Sequence, residues 1–170
     1  MAEPRLPKNA DARKLCETLN LAARTESKGW MAQAFISTLN VNRDGDARFG
    51  MSSKYSLHEG RHQGRWRRLK SDEMFVYLKG TPLEVHIISP TGELKRVVIG
   101  DPLADQRADG FQASMPAGHT FVTRTVDDDS YILMLCAVSP AFDAQDYCEV
   151  TQEEMIQKFP QHKDLINDFY

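Results

Sequence analysis

Apolar residues along most of this chain come in short runs, alternating or continuous, bounded by Gly, Pro and Asn. That is the pattern of strands, and only the two ends carry a helical period. Near the N-terminal end Ala12, Leu15, Cys16 and Leu19 fall at i, i+3, i+4 and i+7, which predicts one amphipathic helix from Asn9 packed across the outside of a sheet. Residues 24–29 (RTESKG) read as a polar connection, 30–39 (WMAQAFISTL) as a strand and 42–45 (NRDG) as a turn. In 49–57 (FGMSSKYSL), Met51, Ser53, Tyr55 and Leu57 share one face. Ser52, Lys54 and Ser56 share the other, so that strand has a polar side.

Residues 65–85 (RWRRLKSDEMFVYLKGTPLEV) dominate the middle of the chain and predict a strand, a turn, a second strand and a sharp exit at Gly80. Alternation along the second strand puts Glu73, Phe75 and Tyr77 on one face, one carboxylate on an aromatic wall. Residues 83–89 and 94–99 predict a hairpin closed around Pro90, Thr91 and Gly92, and 102–109 a polar excursion. Residues 111–115 and 119–126 flank Pro116, Ala117 and Gly118, a turn expected to set two strands side by side. Residues 131–138 (YILMLCAV) are continuously apolar, as for a strand buried on both faces, and Pro140 ends the run. Thr151 with Glu154 three residues on is a capping-box pattern, so a helix is expected over 152–159, stopping before Pro160. Many short strands with a helix at each end argue for a barrel or sandwich, not a parallel α/β sheet.

Composition narrows this only a little. The 170 residues, 41% hydrophobic and 26% charged with a net charge of −3, fit one soluble domain over 1–170 with a loose segment at 1–8. There is no basic excess for nucleic acid, and no apolar run for a signal peptide or a bilayer. Cys16, Cys136 and Cys148 lie far apart, which speaks against a disulfide framework or a zinc site and for a reduced, cytoplasmic setting. No spaced-glycine fingerprint for a nucleotide or flavin is present.

Glu73, six residues, then Gly80 resembles the second half of the first cupin motif, and DEMFVYLKGTPLEV resembles a small uncharacterised branch of the cupin superfamily. Further matches in order are Leu19-x-Leu21, Gly100-Asp101, FQASMPAG (111–118) and LCAVSPAFDAQDYCEV (135–150) with FPQH (159–162). The resemblance covers about residues 12–169 and implies a mainly β fold. This is the cupin double-stranded β-helix, a jelly-roll barrel with an N-terminal helix and a short C-terminal helix, a small-molecule pocket and a homodimer. It implies no reaction. The branch tends to place His-Pro-Glu-Gly-Gly near 25–29, of which Glu26 and Gly29 remain.

In metal-binding cupins the ligands are two His and a Glu of the first motif and a His of the second. Carried onto this chain, those positions hold Arg67, Leu69, Glu73 and Phe121, or Trp66 and Arg68 with a longer gap. Guanidinium, alkyl and phenyl groups offer no lone pair to a metal, so a metal-free pocket with no cofactor is expected. The candidate catalytic residues are Glu73, Arg67, Tyr77 and His119, with Lys54, Phe75, Gln112 and Phe121 binding substrate. Glu73 would move a proton, Tyr77 or His119 would return it, and Arg67 with Lys54 would hold an anionic oxygen. This is the chemistry of a metal-independent isomerase, epimerase, cyclase or lyase acting on a small anionic or carbonyl-bearing molecule. Plainer readings stand beside it: an Arg67–Glu73 structural ion pair, a solvated Lys54, a surface His119, a space-filling Gln112 and a core Cys136. A non-catalytic binding or sensing module, and a metal-dependent oxygenase or hydrolase recruiting His58, His62 or His86, are the competing functions.

Overall fold

The computed structural model describes residues 5–24 and 29–170. Helix α1 (Ala10–Thr18) is capped by the Asn9 side chain, which accepts from the amides of Asp11 and Ala12. Its stripe packs on the outer face of a six-stranded antiparallel sheet, Ala12 and Cys16 meeting Trp30, Leu57, Tyr131 and Leu133. Glu26 lies outside the described residues. Arg5 to Lys8 are held in place: the Trp30 indole donates to the Arg5 carbonyl at 2.7 Å, and Glu59 accepts from the Lys8 amide at 2.9 Å and from the Asn9 amide.

The six-stranded sheet runs β1 (Ala22–Ala23), β2 (Trp30–Ile36), β5 (Ser52–Glu59), β12 (Tyr131–Ser139), β7 (Asp72–Gly80), β10 (Gln112–Met115). Facing it is a five-stranded sheet in the order β13 (Cys148–Glu149), β6 (Arg67–Arg68), β11 (Thr120–Thr125), β8 (Leu83–Ile88), β9 (Leu94–Ile99). A separate hairpin, β3 (Asn40–Arg43) with β4 (Asp46–Phe49), turns at Asp44 and Gly45, both at positive φ, with the Asn42 side chain accepting from the Gly45 amide. The sequence pattern placed only a turn here.

Between the sheets lies the main core, where Phe75, Met134, Cys136 and Met115 meet Val85, Ile87 and Phe121. On the outer face of the five-stranded sheet, α2 (Gln152–Lys158) and α3 (Lys163–Asn167) bury Met155, Phe159, Ile166 and Phe169 against Trp66, Ile88 and Val122. Strand β12 therefore has apolar residues on both faces for two reasons. Tyr131 and Leu133 lie under α1, while Ile132, Met134, Cys136 and Val138 fill the interior. The capping box at Thr151 and Glu154 is formed as expected. No helix among the described residues is long and apolar enough to cross a membrane.

One expected pairing is corrected. The Pro116-Ala117-Gly118 turn does not close a hairpin, because β10 pairs with β7 in one sheet and β11 with β6 and β8 in the other. The turn is a crossover, pinned by Asp72, whose carboxylate accepts from the Ala117 amide at 2.8 Å, and by the Gly118 amide donating to the Leu69 carbonyl. Of the adjacent acids, Asp72 thus faces out and holds the turn, and Glu73 faces in.

Candidate functional site

A cavity of about 850 Å³ opens between the two sheets. Its floor is set by cross-strand rows. On the six-stranded sheet Lys54, Cys136 and Phe75 lie abreast on β5, β12 and β7, with Glu73 beside Val138 one step along. On the five-stranded sheet Glu149, Arg67 and Phe121 lie abreast on β13, β6 and β11. Lys54, Ser56 and His58 line the cavity from the polar side of β5, the side that alternation marks out.

Glu73 is 7% exposed, and its Oε2 is buried with no hydrogen-bond partner among the described residues. Burial raises its pKa above the usual carboxylate value, and the charges of Arg67 and Lys54 offset part of that rise. The Arg67 guanidinium lies on aromatic faces, 4.4 Å from the Phe121 ring centroid and 5.9 Å from that of Phe75. Lys54 Nζ sits 5.3 Å from the Phe142 centroid. No Arg67–Glu73 salt bridge is formed among the described residues, so the structural ion pair that the sequence allowed is absent from this arrangement.

Two histidines complete the deep wall. His58 and His62 stack with centroids 3.7 Å apart, and Ser56 Oγ lies 3.0 Å from His58 Nε2. Burial, then the neighbouring ring and the cavity cations, lower the His58 pKa well below the usual imidazole value. Burial and Arg67 lower that of His62 to about 4. Both rings are neutral at neutral pH. The room for His58 comes from Gly29, where a Cβ would lie 2.7 Å from the ring. The rim is built by the segment after β12. Arg43 binds Asp146 at 2.6 Å, and Arg48 pairs with Asp143, which fixes Phe142, Tyr147 and Glu149 at the mouth. Tyr147 donates to Glu149 at 3.0 Å, Glu149 also accepts from Arg65 at 2.9 Å, and burial pushes the Tyr147 phenol up to about 12.

The structure brings Glu73, Arg67, Lys54 and Phe75 to one cavity, with Phe121 beneath Arg67. It places three other expected residues elsewhere. Tyr77 lies four residues beyond Glu73, about 13 Å along an extended strand. Its hydroxyl donates to the Gly80 carbonyl at 2.7 Å, near Asp101 rather than the cavity cations. His119 precedes β11, while the cavity extends the other way, toward Thr123 and Gly64. Gln112 has the wrong parity: Ala113 and Met115 point inward on β10, and Gln112 is exposed. Cys136 is core and also part of the lining, and burial pushes its thiol up to about 12. The rim residues Phe142, Tyr147 and Glu149 received no role from the sequence. Their signal was the resemblance of residues 135–150 to the cupin branch, which assigns none of them a role.

A cupin metal does not fit these residues. Arg67, Leu69 and Phe121, where the resemblance would carry metal ligands, offer no lone pair, and no group of three or more His, Cys, Asp or Glu side chains among the described residues is arranged to hold an ion.

Two antiparallel sheets packed face to face over an interior cavity make a jelly-roll barrel, the architecture of the cupins. Residues 13–149 match the family described as Cupin superfamily (DUF985), and the chain belongs to it. A hypothetical protein from Leishmania major aligns with a TM-score of 0.79 at 26% identity, over 93% of this chain and 97% of its own. A protein from Shewanella oneidensis aligns with a TM-score of 0.76 at 28% identity, over 96% and 98%. Bacillus subtilis oxalate decarboxylase, at 13% identity, TM-score 0.53, and 89% and 38% coverage, shares the fold alone. Comparison with curated proteins returns no match.

Proposed function

We propose that this cupin is a metal-independent enzyme of the isomerase, epimerase, cyclase or lyase kind, acting by acid–base chemistry on a small anionic or carbonyl-bearing molecule. The observation that carries this reading is the Glu73 carboxyl, buried, with an unpartnered Oε2 and a raised pKa, in a cavity it shares with Arg67 and Lys54. A substrate entering past Phe142 and Tyr147 would set an oxygen against the two cations. Glu73 then removes a proton from the carbon next to the carbonyl, and the cations hold the negative charge that develops on the oxygen. Return of the proton to the same or a neighbouring carbon completes an isomerisation or epimerisation. Tyr147 takes the returning role once expected of Tyr77 or His119, since it is the phenol on the cavity wall. Neutral His58 and His62 donate or accept hydrogen bonds without adding charge.

The test starts from thermal-shift screening of small carboxylates and carbonyl compounds. Hits are incubated with the protein in heavy water and followed by mass spectrometry and NMR. Deuterium uptake or product formation that Glu73→Gln abolishes while binding persists is the expected result. A tightly bound hit that stays chemically unchanged makes the protein a binding or sensing module. One equivalent of bound transition metal, lost in Glu73→Gln, would overturn metal independence. We also propose a homodimer, supported by the exposed Phe35, Ile36, Leu39, Val41 and Phe49 along the end of β2 and the β3–β4 hairpin.

A further inference from the structure

The two cations deep in the cavity come from opposite sheets, and both rest on rings instead of carboxylates. Arg67 of β6 lies on Phe121, and Lys54 of β5 faces Phe142. The other lining acids are committed elsewhere: Glu149 accepts from Arg65 and Tyr147, and Glu59 accepts from the Lys8 and Asn9 amides. Glu149 also acts on Arg67 from the rim, and deeper in the cavity Glu73 feels both cations while its burial disfavours its own ionised form. The stacked His58 and His62 are neutral. Among the described residues neither Arg67 nor Lys54 forms a salt bridge, and each faces a ring instead. A ligand of opposite charge would pair both of these half-buried cations at once.

We propose that the ligand is a dianionic organic acid with two separate acidic groups, one held by the Arg67 guanidinium and the other by the Lys54 ammonium. This rests on the reading of the cavity as the site of a small anion. The geometry suits each cation to its part. A guanidinium covered on its face by Phe121, with one terminal nitrogen donating to the Arg65 carbonyl at 3.4 Å, still has N–H groups for a carboxylate in a two-point grip. Lysine supplies a compact charge from the opposite wall, and both cations act on the same deep groups, Glu73, Cys136 and His58. Between them Phe75, Met134 and Leu69 offer apolar surface to the ligand body. The buried Ser56–His58 pair, with His58 Nδ1 unpartnered, offers neutral hydrogen bonds to a further oxygen.

The experiment reads binding alone, by calorimetry on the full chain. The panel contains linear dicarboxylates of two to six carbons and the benzene dicarboxylates, each beside its monoamide, with a small alkyl phosphate monoester as the single-group dianion. At least one dicarboxylate is expected to bind about tenfold or more tightly than its monoamide. Lys54→Met should erase that preference, weakening the dicarboxylate more than its monoamide, Lys54→Arg should keep it, and Arg67→Met should weaken both. A wild-type protein that binds no dicarboxylate better than its monoamide overturns the proposal, as does selective binding of the phosphate ester. A monoanionic substrate turned over through Glu73 would sink this inference and leave the enzymatic reading standing. A dicarboxylate bound but never changed would do the reverse.

Discussion

Single side chains decide what the cavity can do, because each is held by a neighbour that leaves it little freedom. Gly29 is one such neighbour: an added Cβ would lie 2.7 Å from the His58 ring and 2.8 Å from the Leu57 carbonyl. Gly29→Ala should therefore displace His58 and cost about 1–3 kcal/mol through overpacking, measured by urea unfolding. The imidazole resonance of His58 should shift at the same time. The His62 ring makes a second prediction. Its folded pKa of about 4 lies below the ordinary 6.5, so between those values the unfolded chain binds the extra proton. Its contribution to stability is thus complete above pH 6.5 and is lost as pH falls toward 4. The melting temperature should drop through that window, and His62→Gln should flatten the drop. Glu73 has the opposite sign: its folded pKa is raised, so it costs stability as pH climbs from the ordinary carboxylate value through the folded one. Alternation made Glu73, Phe75 and the Lys54 face legible in the sequence. The failure at Gln112 came from the one strand there too short to show its parity.

Elements bring these residues together by routes that local pattern does not encode. The segment after β12 has little regular structure, yet Asp146, 5% exposed, binds Arg43 and also approaches Arg48 at 3.6 Å. That tie fixes the rim on the β3–β4 hairpin. Asp146→Asn should loosen the mouth, and because it removes the charge that binds Arg43, the expected cost is about 1–3 kcal/mol. Limited proteolysis should cleave faster within residues 140–149, with the six-stranded sheet still folded by circular dichroism. The helices at both ends could be read from caps and stripes, since those signals lie within a few residues of one another. The crossover at Pro116 could not, because a turn has the same residues whether its strands join one sheet or two.

At the scale of the molecule, the exposed apolar residues of β2 and the β3–β4 hairpin cluster within residues 35–51, while β1 covers only Trp30 and Met31 of the β2 edge. An open edge with an apolar flank is a surface that folded proteins usually cover. Light scattering should give twice the chain mass, and Phe35→Glu with Leu39→Glu should yield a monomer that still melts cooperatively. A wild-type monomer would remove the homodimer from the proposal.

The sequence by itself determined the strand and helix vocabulary and the inward face of β7. Those follow from residue type and from periods of two and 3.6, which act over a few residues. The tertiary structure alone decided that Tyr77 and His119 stand away from the cavity and that Tyr147, His58 and His62 line it. It also decided that Arg67 lies on Phe121 instead of pairing with Glu73. Such outcomes depend on strand order and on how far apart two sheets pack, and residues distant in the chain set both together.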